Sequence, residues 1–420
     1  MDADQRTFVI VGASLAGAKA AETLRGEGFA GRIVLIGEET ERPYERPPLS
    51  KGYLLGKEPR EVAFVHDERW YAEHDVELWL GRRVTMLDRS AHVVTVDGGE
   101  RLGYDKLLLT TGSRVRRLDV PGSDLAGVRY LRTIDQADAL LAELREGVQV
   151  VVVGAGWIGL ETAAAARRYG CPVTVVEVDS LPLRRVLGDE VATVYRDLHR
   201  AHGVDFRFET GVREFGGFDD GTLTSVVLED DTELAADVAI VGVGIRPATE
   251  LAESAALRVD NGVVTDASLC TADPDVYACG DVACSDNPLI GQRIRVEHWA
   301  NALNGGKAAA RSMLGQDVVY DRVPYFYSDQ YDLGMEYSGY VAPHGYDRVV
   351  FRGDPTVADG KAPEFIAFWV SDGRVLAGMN ANVWDVTDPI QALVRAGYGG
   401  RRVDLDRLAD PGVPLGDLLG

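Results

Sequence analysis

The chain has 420 residues, of which 46% are hydrophobic and 26% charged, with a formal net charge of −22. That length allows two or three domains, each burying its own core, and the acidic balance argues against nonspecific binding to a nucleic-acid backbone. No apolar run reaches membrane-spanning length, and the opening MDADQRTFVIVG lacks the basic and hydrophobic regions of a signal peptide, so a cytoplasmic protein is expected.

The first pattern is an apolar strand at 8–12 that breaks into Gly12, Ser14, Leu15, Ala16 and Gly17. A helix at 18–25 and a strand at 33–36 follow, with Glu38 just beyond. This order of strand, glycine turn, helix, strand and acid describes a dinucleotide-binding βαβ unit, with Ser14 in place of the middle glycine. Next comes RPPLSK, in which Pro47 and Pro48 stiffen the backbone and are expected to delay any helix until after them. Arg46 and Lys51 are thereby held in fixed directions, although two solvated loop cations would read the same way. An apolar strand at 106–109 runs into Thr110, Thr111, Gly112 and Ser113, and helical spacing at 134–145 leads to the next unit.

At 150–161 the chain reads VVVVGAGWIGLE. Gly154 permits a tight turn, Gly156 lets the backbone approach a pyrophosphate, and Gly159 lets the following helix pack on its strand. A second strand at 173–178 carries Glu177, whose carboxylate can accept both hydroxyls of an adenosine ribose. The chain therefore repeats the same unit. A helix is expected near 189–202, and the apolar run 238–244 ends at Gly244. DVYACGD at 275–281 places Asp281 at the carboxyl end of a strand, where open α/β sheets bind ligands. Glu297, His298 and Trp299 precede a helix at 301–314 in which Lys307 and Arg311 lie one turn apart. From about residue 319 aromatics accumulate, Asp372-Gly373 signals a hairpin, and a helix is expected near 389–396. This part reads as an α+β unit on an antiparallel sheet.

Two dinucleotide loops separated by TTGSR and followed by DVYACGD and EHW resemble the two-nucleotide flavoprotein oxidoreductases. RPPLSK, EHW and SDQY resemble, within them, the FAD-dependent ferredoxin reductases of the putidaredoxin reductase type that serve bacterial oxygenases. The resemblance implies an α/β fold with two Rossmann-like domains and a C-terminal α+β domain. The implied boundaries are 1–114 with 245–318 for FAD, 115–244 for NAD, and 319–420 for the C-terminal domain. It places Gly12, Ser14, Leu15, Ala16, Gly17, Glu38, Arg46, Lys51, Val84, Thr111, Gly112, Arg132, Asp281 and Trp299 at FAD, and Gly154, Gly156, Trp157, Ile158, Gly159, Glu177 and Gly244 at NAD. Lys51 would lie against the isoalloxazine, with Glu161 pairing with it beside the nicotinamide. A glutamate in the first helical turn would also simply favour the helix dipole. No metal site is expected.

Disulfide reductases of this architecture carry a CxxxxC pair where this chain reads RPPLSK. Cys279 and Cys284 have that spacing but flank Gly280-Asp281, so they and the scattered Cys171 and Cys270 read as reduced core or incidental thiols. Glu177 opposes a 2′-phosphate, which favours NADH, while Arg184 and Arg185 leave NADPH open. The tryptophan-rich segment usual before SDQY is Tyr325-Phe326-Tyr327 here. The expected reaction is hydride transfer from NADH to FAD and single-electron transfer to a small iron–sulfur ferredoxin, docked through Lys307, Arg311, Arg293 and Arg295. The alternatives are an NADH oxidase or diaphorase, and an NADH-sensing flavoprotein of the apoptosis-inducing-factor type.

Overall fold

A computed structural model describes residues 5–419. The chain divides into two compact units, one of Met1–Glu45, Arg60–Arg114 and Arg246–Pro324, the other of Arg46–Pro59, Val115–Ile245 and Tyr325–Gly420.

The first unit is built on a parallel sheet in the order Val276–Ala278, Lys106–Leu109, Thr7–Val11, Arg32–Ile36, Val76–Trp79. Thr7–Val11 is central because it is apolar on both faces: Phe8, Val9 and Ile10 are fully buried, as a parallel strand covered on both sides requires. Its glycine turn releases the helix Leu15–Gly26, three residues earlier than the sequence pattern suggested. The helix starts as soon as Ser14, in extended conformation, has turned the chain. The helix Trp299–Met313 lies against Leu15–Gly26, and the contact depends on a small residue, since a Cβ on Gly306 would stand 2.3 Å from the Ala16 carbonyl oxygen. Two three-stranded sheets complete this unit, Val84–Asp88 with Val93–Val96 and Arg101–Gly103, and Val263–Thr265 with Ala283–Asn287 and Gln292–Ile294.

The second unit repeats the plan in the order Val204–Phe208, Val173–Glu177, Val150–Val153, Val238–Val241, Val128–Arg129. The central Val150–Val153 is again buried throughout, and Val150 pairs with both Val173 and Val238. The reversal of strand order at a central strand leaves a crevice at its carboxyl end. The helix expected near 189–202 runs over Arg184–Ala201, with a break at Gly188, whose φ of +75° suits glycine. The aromatic-rich region forms an antiparallel sheet in the order Tyr325–Gln330, Leu333–Gly339, Arg374–Ala381, Phe365–Ser371, Arg348–Gly353. Asp372-Gly373 is its two-residue hairpin, and the helix Thr387–Tyr398 packs on Arg374–Ala381. Trp369 is fully buried and donates its indole N–H to the Leu187 carbonyl at 3.0 Å.

Pro47 and Pro48 do not delay a helix: they open a 3₁₀ turn, Pro47–Ser50. The first turn needs no backbone N–H, so prolines fit there and preset its φ.

Candidate dinucleotide and redox site

In the first unit the turn after Thr7–Val11 has no room for side chains. Gly12 sits at φ +121°, and a Cβ there would meet the Thr110 carbonyl oxygen at 2.1 Å. A Cβ on Gly17 would meet the Gly12 carbonyl oxygen at 2.2 Å. Ser14 precedes the helix but donates its hydroxyl to the Tyr44 carbonyl at 3.3 Å instead of capping, and the first turn, which includes Leu15 and Ala16, has no acid. Its N–H groups are left for an anion, which fits a pyrophosphate. Glu38, two residues past Arg32–Ile36, is exposed and paired with Arg114 at 3.2 Å. Thr111 donates to the Ala248 carbonyl at 2.8 Å beside Gly112, while Val84 packs its side chain into the core.

Asp281 sits on the short 3₁₀ turn Gly280–Val282 after Val276–Ala278. A Cβ on Gly280 would lie 3.4 Å from that of Ala16, so this turn lies beside the first helix. Trp299 opens the helix Trp299–Met313 and donates Nε1–H to Glu45 at 2.8 Å. His298 precedes it, and burial lowers its pKa to about 4 against the upward pull of Asp281.

In the second unit the three glycines meet different surroundings. A Cβ on Gly154, at φ +99°, would stand 2.6 Å from the Gly242 carbonyl oxygen, and one on Gly159 would stand 2.0 Å from that of Gly154. A Cβ on Gly156 would meet nothing within 4 Å. The first two are demanded by the protein's own packing, and the third faces open space that a ligand can fill. Gly244 adopts φ +96° and accepts from the Arg116 N–H at 2.9 Å. Glu177 accepts from the Ala155 N–H at 2.6 Å and the Asp179 N–H at 2.9 Å, so it ties the glycine turn to its strand. Arg184 is paired with Asp189, and Arg185 with Asp179 at 2.7 Å. The helix begins at Trp157, which packs edge-on against Tyr195 and Phe326, while Ile158 is 41% exposed.

Glu161 is therefore the fifth residue of this helix, one turn deeper than a first-turn placement, and the dipole at the helix start is not what it serves. It is buried, and Lys51 Nζ lies 2.7 Å from its Oε1. The hydroxyls of Ser50 and Ser328 also donate to it, Ser328 at 2.7 Å. Lys51 stands over the ring of Tyr327, 5.3 Å from its centre. Arg46, from the same stiff turn, donates to the Arg132 carbonyl. Next to Ser328, desolvation pushes the Asp329 carboxyl above the usual carboxylate range, with Lys51 opposing and Glu161 adding.

A model of the pyridine nucleotide-disulphide oxidoreductases matches residues 6–306, and a reductase C-terminal model matches 325–419. The ferredoxin–NAD(+) reductase component of the anthranilate 1,2-dioxygenase system of Burkholderia cepacia is 40% identical over 98% of this chain and 99% of its own. Putidaredoxin reductase of Pseudomonas putida is 38% identical over 88% of this chain and 87% of its own. The crystal structure of a covalent putidaredoxin reductase–putidaredoxin complex superposes with a TM-score of 0.92 at 36% identity, covering 99% of this chain and 98% of that one.

This chain belongs to the pyridine nucleotide-disulphide oxidoreductase family. It is an FAD- and NADH-dependent oxidoreductase. Yet this oxidoreductase has one serine, Ser50, and a lysine, Lys51, but no cysteine in its RPPLSK segment, and all four of its cysteines are free. Burial pushes the Cys279 thiol well above its ordinary range, which leaves it a packing residue.

The sequence reading missed Ser50, Tyr327 and Ser328 around the Lys51–Glu161 pair, and Thr110 behind the first glycine turn. Ser50 and Ser328 lie inside the quoted RPPLSK and SDQY stretches. Nothing local marks them as partners of a residue more than one hundred positions away. The four proposed docking cations also look different in place. Arg293 pairs with Asp286, Arg295 with Glu297 and Arg311 with Glu27, whereas no ion pair involves Lys307 among the described residues. Among those residues, too, no helix is long and apolar enough to cross a membrane.

Proposed function

We propose that this protein is an NADH-dependent ferredoxin reductase that delivers electrons to an oxygenase through a small iron–sulfur ferredoxin. The single observation that carries the reading is the buried Lys51–Glu161 pair on the helix of the second glycine turn, with no cysteine pair on the segment that supplies Lys51. The similar Burkholderia cepacia protein is named as the ferredoxin–NAD(+) reductase component of a dioxygenase system, which supports this reading.

Bound FAD supplies the conversion of a two-electron donor into single electrons. The first glycine turn, with Gly12, Ser14 and Gly17, would receive its pyrophosphate, and Glu38 its adenosine ribose. The second turn would receive NADH, with Glu177 reading the ribose hydroxyls. The paired Arg184 and Arg185 offer a 2′-phosphate little uncompensated charge, which supports NADH over NADPH. Glu161 holds the Lys51 ammonium in one direction, and Ser50 and Ser328 hold Glu161. Asp281, Trp299, Arg132 and Lys51 would position the flavin. No general base is required, because alignment in a site shielded from water sets the rate. Ferredoxin would dock near Lys307, Arg311, Arg293 and Arg295, with Lys307 carrying the least compensated charge. Four free thiols suit a reducing cytoplasm.

Anaerobic titration tests this reading. The purified protein should be yellow, should bleach with one equivalent of NADH and more slowly with NADPH, and should recover its colour on mixing with an oxidised ferredoxin. A colourless protein that does not take up FAD would sink the proposal. Turnover with oxygen as fast as with ferredoxin would point to an oxidase. Slow reoxidation by every acceptor, with NADH-dependent dimerisation, would point to a sensor.

A further inference from the structure

Gln330 and Tyr331 of SDQY remain without a part in the proposed reaction, and they extend the hydrogen-bonded path that starts at Ser328. Ser328 and Gln330 share the inward face of the strand Tyr325–Gln330. Gln330 Nε2 donates to Ser328 Oγ at 3.1 Å, and its Oε1 lies 2.8 Å from His199 Nε2 on the helix Arg184–Ala201. The Tyr331 hydroxyl lies 3.1 Å from His199 Nδ1. Tyr331 holds φ +58°, a conformation costly for a bulky residue, and stacks on His202 with 3.7 Å between ring centres.

With a neutral imidazole, only one set of proton positions satisfies every member. Glu161 as a carboxylate only accepts, so Ser328 must donate to it. Ser328 Oγ must then accept from the Gln330 amide nitrogen, which turns the Gln330 carbonyl towards His199. His199 must carry its proton on Nε2 and offer Nδ1 to the Tyr331 hydroxyl. That is a neutral imidazole, and burial keeps it so, lowering its pKa to about 4.

We propose that Gln330 and His199 are positioning residues for the Lys51–Glu161 pair. Resting on the reductase reading above, they act through Ser328, fixing the direction of the hydrogen bond that Glu161 receives and hence the orientation it imposes on Lys51. Unidirectional chains of buried hydrogen bonds strengthen one another, and reversing one link leaves a buried donor or acceptor unsatisfied.

The test combines nitrogen NMR of histidine-labelled wild-type protein with stopped-flow reduction of the holoprotein by NADH. His199, assigned by loss of its signals in His199→Gln, should show the Nε2-protonated neutral tautomer at neutral pH. The Nδ1-protonated tautomer or an imidazolium would overturn the proposal, and this readout needs no variant to be active. Gln330→Glu, which accepts from both sides and draws the Ser328 hydroxyl away from Glu161, should lower the limiting reduction rate roughly ten- to hundredfold. Gln330→Met should do the same by removing the link, with FAD content and NADH affinity kept within about twofold. His199→Gln places an amide nitrogen where Nε2 stood and should restore a rate within about twofold of wild type. A wild-type rate in Gln330→Met, or His199→Gln as slow as the Gln330 variants, would overturn the assignment. Lys51→Met and Glu161→Gln separate the two readings. If they reduce at the wild-type rate, the role of the pair falls; if they are slow while Gln330→Met is not, only the positioning role falls.

Discussion

Lys51 and Glu161 lie 110 positions apart in sequence and 2.7 Å apart in space, both largely hidden from water. Removing one partner of a buried pair leaves the other uncompensated, so the effect should exceed that of a surface ion pair. Lys51→Met and Glu161→Gln should each slow flavin reduction by about tenfold or more while FAD content stays at wild-type level, measured by stopped-flow absorbance and by flavin released on denaturation. His199 gives a second prediction, read from stability. Its folded-state pKa is depressed by burial, with His202 adding to the depression and the bond to Gln330 opposing it. Below the ordinary histidine range the unfolded chain binds a proton that the folded protein refuses. Stability is therefore intact above about pH 6.5 and falls by about 3 kcal/mol as pH drops towards 4. In urea unfolding followed by circular dichroism, the midpoint of His199→Gln relative to wild type should rise over that window. A difference that does not change with pH would contradict the assignment.

At the scale of elements, the second strand-turn-helix separates glycines needed by the fold from one with open space beside it. Gly159 abuts the Gly154 carbonyl at the crossing of helix and strand, whereas a side chain on Gly156 would project into open space. Gly159→Ala should lower the melting temperature by several degrees, because the helix must move off its strand. Gly156→Ala should leave the melting temperature nearly unchanged and weaken NADH binding by about tenfold or more, measured by fluorescence titration. Equal effects of the two substitutions would contradict this division. The strand Tyr325–Gln330 shows a comparable division by face. Phe326, Ser328 and Gln330 point inward, while Tyr325 donates to Glu336 at 2.6 Å and Tyr327 lies beneath Lys51. The Tyr325-Phe326-Tyr327 departure from a tryptophan-rich pattern thus keeps an aromatic face beside the lysine.

For the whole molecule, a net charge of −22 makes encounter with an acidic partner unfavourable unless local cations intervene. Three of the four candidate docking cations are already neutralised by carboxylates of the same chain. Lys307→Glu should therefore raise the KM for ferredoxin more than Arg311→Glu does, with both leaving NADH-dependent reduction of ferricyanide unchanged. An equal response, or a loss of ferricyanide reduction, would count against docking at this face.

The sequence by itself determined the two dinucleotide units, their central strands, the antiparallel C-terminal sheet and the hairpin at Asp372-Gly373. Each of these rests on short-range information, such as apolar runs, glycine spacing and turn residues. It also carried the family, because several modest motifs stand in one order. Tertiary structure decided what no local pattern encodes. It placed Glu161 a full turn into its helix and surrounded it with Ser50, Lys51 and Ser328 from distant segments. It also turned Pro47-Pro48 from a helix breaker into a helix start, and bound three docking candidates to neighbouring acids. The physical reason is the same in each case: hydrogen bonds and ion pairs in a buried site join residues far apart in the chain, and their partners are chosen by packing.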